Sequence, residues 1–133
     1  MKKLASIKEA FKKEGLDIDK LEIIGCPERH VEAAKAIIKM WVGYDHVNSG
    51  FNPDWTNYEQ YKYQNFYKMG SSSVVGFSYS VYDYWGTASA VGSRLTSESW
   101  KAAEYIGEHP EFLELAKTVM IYQRPEVLEK DNK

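Results

Sequence analysis

The sequence predicts a single α+β domain in two layers: a small antiparallel sheet of about three strands, packed against a long helix from the N-terminal half and a C-terminal helix. Three observations carry this. Apolar residues recur every three or four positions up to residue 50, alternate every second position between residues 61 and 85, and return to helical spacing after residue 97. The elements therefore run α, α, β, β, β, α, with helices segregated from strands. A length of 133 residues suits one hydrophobic core and leaves little room for a second.

The first helix lies between Ser6 and Gly15. Ser6 with Glu9 has the form of a capping box, Ile7, Ala10 and Phe11 make an apolar stripe, and Gly15 suits the left-handed stop. Leu16, Ile18, Leu21, Ile23 and Ile24 bring a connector back toward the core. After Gly25, Pro27 is tolerated in the first turn of a second and longest helix. Val31, Ala34, Ile37, Ile38, Trp41 and Val42 give it an apolar face, with Glu32, Lys35 and Lys39 opposite. Asn48-Ser49-Gly50 ends it.

Asn52-Pro53-Asp54 is turn chemistry, and strand alternation begins at Tyr61. Tyr61, Tyr63 and Tyr67 fall on one face, Lys62, Gln64 and Lys68 on the other. Gly70-Ser71-Ser72-Ser73 reads as a hairpin connection. In the second strand Phe77, Tyr79, Val81 and Trp85 alternate with Ser78, Ser80, Tyr82 and Tyr84, and Ser93 to Thr96 reads as a short third strand. Ser97 caps a helix carrying Trp100, Ala103 and Ile106, which Pro110 kinks or divides before Phe112, Leu113, Leu115, Ala116, Val119 and Met120. Residues 1–122 thus form the domain and 123–133 a polar tail.

Charge and composition exclude several classes of function. Seventeen Lys and Arg against 19 Asp and Glu leave a net charge of -2, so no overall field collects nucleic acid or an anionic membrane. One cysteine, Cys26, forms no internal disulfide. No stretch approaches the roughly 20 apolar residues of a membrane span, and Lys8, Glu9, Lys12 and Lys13 interrupt any signal-peptide core after Met1-Lys2-Lys3. These features predict a cytoplasmic protein. The feature that stands out is 14% aromatic content, with 10 Tyr and 4 Trp.

Gly50-Phe51-Asn52-Pro53-Asp54-Trp55, then Tyr61-Lys62-Tyr63 with Phe66, and later Ala90-Val91-Gly92-Ser93-Arg94-Leu95 before Ala103-Glu104-Tyr105-Ile106-Gly107 form a combined pattern. It resembles a group of small proteins of Bacteroidetes bacteria, their phages and integrated elements, across most of residues 30–116. That group has no assigned activity, so the resemblance implies a fold and a phage or mobile-element setting, and no reaction. Two departures stand out. Glu108-His109-Pro110 interrupts the helix that the relatives continue, and Thr96 stands where they carry Cys or an apolar residue.

Catalytic and metal signatures are weak. Cys26 and His30 have an i, i+4 spacing, but structural zinc needs four ligands, and His46 and His109 have no paired spacing, so no metal is expected. No serine lies in a nucleophile elbow, and the Gly70 serine run lacks the glycine and lysine of a phosphate loop. No cofactor follows. Asp83 falls on the expected core face, where a charge is costly unless paired. An ion pair with Arg94, a place at the exposed end of its strand, or a functional carboxylate are its three readings.

Binding is therefore favoured over catalysis. If Tyr61, Tyr63, Phe77, Tyr79 and Trp85 face the helices, then Phe66, Tyr82 and Tyr84 face outward with Lys62, Gln64 and Lys68. Tyrosine enrichment suits a protein partner or a homo-oligomer. The runner-up is single-stranded nucleic acid stacked on Phe66, Tyr82 and Tyr84 and held by Lys62 and Lys68, and the bland reading is cross-strand pairing that only stabilises the sheet. Asp54 is expected to cap a turn, and Trp55 to pack at the sheet edge or to form a small pocket with Tyr61 and Arg94.

Overall fold

A computed structural model describes residues 1–70 and 76–129. Helix α1 is Ile7–Lys13, α2 Glu28–Val47, α3 Trp100–Glu108 and α4 Pro110–Met120; the strands are β1, Lys62–Lys68, and β2, Ser78–Trp85. The fold is α+β, with four helices and a two-stranded antiparallel sheet packed against α2 and α3.

Local sequence sets most boundaries. The Ser6 hydroxyl accepts the Glu9 N–H at 3.1 Å, an N-cap worth about 1 kcal/mol. Gly15, at φ 77°, turns the chain out of α1. Asn48 ends α2 and binds three ways: Nδ2 donates to the Tyr44 carbonyl at 3.1 Å and to Ser97 Oγ at 3.4 Å, and Oδ1 accepts the Glu98 N–H at 2.9 Å. Pro110 separates α3 from α4. Its missing N–H costs nothing at the first position of α4, where His109 Nδ1 accepts the Glu111 N–H at 3.2 Å.

The core joins Leu4, Ile7 and Phe11 to Met40, Tyr44 and Val47 of α2, Ala102 and Ile106 of α3, and Phe112 and Ala116 of α4. The buried stripe of α2 is Ala36, Met40, Gly43, Tyr44 and Val47, rotated from the expected Val31-to-Val42 face, whose members are only half-buried. Gly43 explains the rotation. A Cβ there would meet Phe112 Cζ at 2.5 Å, so the glycine lets α4 press its largest ring onto α2.

Two expectations in the later chain are corrected. Ser93–Leu95 is a 3-10 turn rather than a strand, and only Ser97 pairs with β1: the Tyr63 N–H donates to the Ser97 carbonyl at 3.1 Å and the Ser97 N–H to the Tyr63 carbonyl at 2.8 Å. Bound into that bridge, Ser97 does not cap α3. Ser99 does, accepting the Ala102 N–H at 3.1 Å. The Ser71–Ser73 part of the expected hairpin connection lies outside the described residues.

Within those residues, no helix is long and apolar enough to cross a membrane.

Candidate functional site

One extra residue decides which side chains share a face of the sheet. Phe66 pairs with Val81 but Tyr67 pairs with Tyr79, so Ser80 is a bulge on β2. The alternation of β2 inverts there. Tyr79, Tyr82 and Tyr84 lie on the face that also carries Tyr63, Asn65 and Tyr67, while Val81, Asp83 and Trp85 lie with Lys62, Gln64 and Phe66 on the other. The expected outward set is therefore split. Phe66 is exposed on one face, and Tyr82 and Tyr84 sit on the opposite face, the one that meets α3.

Helix α3 covers only part of that face. Gly107 brings its backbone onto Tyr79, where a Cβ would lie 2.4 Å from the ring, and Asn65 Nδ2 donates to the Ala103 carbonyl at 2.9 Å. Beyond the start of α3 the face is open, and five aromatic rings form a continuous ladder. Tyr61 meets Tyr84 at 4.6 Å between ring centres, Tyr84 meets Tyr63 at 5.7 Å, Tyr63 meets Tyr82 at 5.8 Å, and Tyr82 meets Trp100 at 6.4 Å. Tyr61 is 50% exposed, Tyr84 49% and Trp100 45%. Cross-strand contact orders these rings before anything binds. Burial and the neighbouring phenols Tyr82, Tyr84 and Tyr61 raise the Tyr63 pKa above its usual value.

Lysine is largely withdrawn from the ladder. Lys62 has no exposed surface, against the expectation of an outward cation. Its Nζ donates to the carbonyls of Asn57 and Gly86, both at 2.7 Å, and lies 5.6 Å from the centre of the Trp55 ring. Loops before β1 and after β2 fold over this half of the outer face, and Gln64 Nε2 contacts the Ala88 carbonyl there at 3.5 Å. Lys68 is exposed but pairs with Ser78, at the other end of the sheet. Lys101 remains, its Nζ 5.6 Å from the Trp100 ring centre.

Asp83 and Arg94 form no ion pair. The bulge carries Asp83 to the outer face, where its Oδ1 accepts the Tyr84 N–H at 2.7 Å, and the Arg94 guanidinium lies 5.2 Å from the Trp41 ring centre. Trp55, Tyr61 and Arg94 do not converge either. Trp55 Nε1 donates to Ser93 Oγ at 2.8 Å, beside Arg94, whereas Tyr61 belongs to the ladder. Arg94 lines a separate cavity of about 230 Å³ with Asp45, Asn48 and Thr96. Burial, and then Glu14, push the Asp45 carboxyl up. Asp54 makes its expected turn: Oδ1 accepts from the Thr56 N–H at 3.0 Å and from its hydroxyl at 2.6 Å, which holds the carboxyl low.

Cys26 precedes α2 and so does not share a helical face with His30, whose ring packs 5.2 Å from Tyr122. No group of three metal-ligating side chains gathers among the described residues. Trp100, which the sequence pattern places only in a helical stripe, joins the site from α3. The small residues Ala102, Ala103 and Gly107 mark the side of α3 that meets its neighbours, and Trp100 falls at the edge of that side.

In comparisons with protein-family models, curated proteins and solved structures, nothing matched this chain.

Proposed function

We propose that the protein is a non-catalytic binding module that engages a protein partner through the ladder Tyr61, Tyr84, Tyr63, Tyr82 and Trp100. The phage or mobile-element setting implied by the resemblance above is its proposed context. The observation that carries this reading is the continuous contact of five rings, three of them about half exposed, on a face to which β1 and β2 contribute no lysine. Interfaces between proteins are enriched in Tyr and Trp and depleted in Lys. Rings already ordered by their neighbours lose little freedom on binding, so more of their contact energy reaches the complex.

Single-stranded nucleic acid also stacks on such rings, at about 1 to 3 kcal/mol per base, but its phosphates need cations along the path. Among the described residues only Lys101 supplies one beside a ladder ring.

The test compares Tyr84→Ser and Trp100→Ser with Phe66→Ser, which alters the opposite face. The expected result is a partner protein, identified by capture and remade pure, that binds the wild type and Phe66→Ser alike and loses affinity for both ladder variants. Labelled oligonucleotides are expected not to bind at physiological salt. Oligonucleotide binding that falls steeply with salt and is lost in the ladder variants would replace this reading with the nucleic-acid one. A dimer that dissociates in those variants would replace it with self-association.

A further inference from the structure

We infer that the partner presents an extended basic segment, which adds as a short strand to the free edge of β2 and sets a Lys or Arg side chain into the groove between β2 and α3. This rests on the reading of the ladder as a protein-binding surface and names the chemistry of its partner.

The backbone identifies the edge. Tyr63 spends both its N–H and its carbonyl on Ser97, so its pairing with Tyr84 is of the non-hydrogen-bonded kind, and the polar groups of Tyr84 point away from β1. Tyr82, two residues back and opposite Asn65, has the same orientation. No strand among the described residues pairs with that outer side of β2. Asp83 already holds the Tyr84 N–H. An incoming strand therefore finds the Tyr82 N–H and the carbonyls of Tyr82 and Tyr84, the main-chain contacts on which strand addition relies.

The groove identifies the side chain. It runs along β2 from the bulge, has a volume of about 440 Å³, and is lined by Tyr79, Val81, Tyr82, Glu104, Glu108 and Leu113 among others. Glu104 and Glu108 are one turn apart on α3 and form no salt bridge among the described residues. Like charges at that spacing repel. The next lysine in sequence, Lys101, points over Trp100 instead. A cation between two carboxylates and two phenol rings would relieve the repulsion and gain aromatic contact. A second copy of β2 offers no such cation: Ser78 to Trp85 carries one charge, Asp83, which would meet the glutamates as another anion.

The probe is a short acetylated and amidated peptide alternating lysine and valine, titrated against the isotope-labelled full chain and followed by NMR. The backbone amides of Val81 and Tyr82 and those of Glu104 and Glu108 are expected to shift. The double variant Glu104→Gln with Glu108→Gln is expected to bind about tenfold more weakly, the size of two lost surface ion pairs. A glutamate–valine peptide is expected not to bind. Equal binding of the two peptides, undiminished binding by the double variant, or stationary β2 amides would overturn the inference. Shifts confined to the Tyr61, Tyr84 and Trp100 rings would overturn strand addition and leave the ladder reading standing. That reading fails separately, if the captured partner binds the Tyr84→Ser and Trp100→Ser variants as it binds the wild type.

Discussion

The ammonium of Lys62, at the start of β1, donates to the backbone carbonyl of Gly86, just past β2, at 2.7 Å in a fully buried setting. With the second bond to Asn57 and the Trp55 ring nearby, it ties two loops to one end of the sheet. Lys62→Ala removes two charge-assisted bonds and leaves both carbonyls unpaired, so a loss of about 3 kcal/mol in a denaturant titration is expected. A stable Lys62→Ala variant would show that the charge is not what fastens these loops.

Gly107 and Gly43 are expected to resist alanine, although alanine favours a helix by up to about 1 kcal/mol. At Gly107 the added methyl would lie 2.4 Å from Tyr79 Cδ1, and at Gly43 2.5 Å from Phe112 Cζ. Overpacking of this kind costs about 1 to 3 kcal/mol. Thermal unfolding measures the net effect. In a double-mutant cycle, Tyr79→Leu is expected to recover part of the Gly107→Ala loss, because the clash is with that ring. Additive losses would place the strain elsewhere.

Gly107 makes a contact that no local sequence signal announces. The Ser6 cap, the Asn48-Ser49-Gly50 stop and the division at Pro110 follow from residues within a few positions of each other and appear in the structure, although the Glu9 carboxylate turns to Lys13 instead of completing the capping box. Faces of the sheet do not follow so locally. Ser80 has nothing to mark it as a bulge, yet by standing outside the pairing it moves Tyr82 and Tyr84 to the other face from the one that strict alternation gives them. Lys62 likewise resembles any surface lysine until the loop at Asn57 and the remote one at Gly86 close over it. The aromatic residues were visible as a composition. Their order in a ladder depended on a single residue of register.

Alkaline pH is expected to unfold the protein through its tyrosines. Burial, followed by the nearby carboxylate of Glu104, pushes the Tyr79 phenol up to about 12 from an unfolded value of 10. Burial also raises Tyr44 and Tyr67. A raised folded pKa means that the native state holds its proton longer. The stabilisation is complete below pH 10 and is lost as the pH climbs from 10 through 12. Phenolate absorbance and circular dichroism recorded together provide the check, with late-titrating tyrosines expected to ionise as ellipticity falls. Ionisation of every tyrosine near pH 10 with the fold intact would contradict the burial of these rings.

Asp83 guards the free edge of β2, and its removal is expected to make the protein self-associate. The carboxylate occupies the Tyr84 N–H and is the only charge on a strand otherwise made of Ser, Tyr, Val and Trp. Natural sheets use such charges to keep exposed edges from pairing with one another. Asp83→Ala frees the N–H and neutralises the strand in one step. Asp83→Asn removes the charge but keeps an oxygen able to accept the same bond. Light scattering over a concentration series is expected to show larger species for Asp83→Ala than for the wild type, with Asp83→Asn between the two. If both variants match the wild type at all concentrations, the Ser80 bulge alone is enough to keep the edge from pairing with itself.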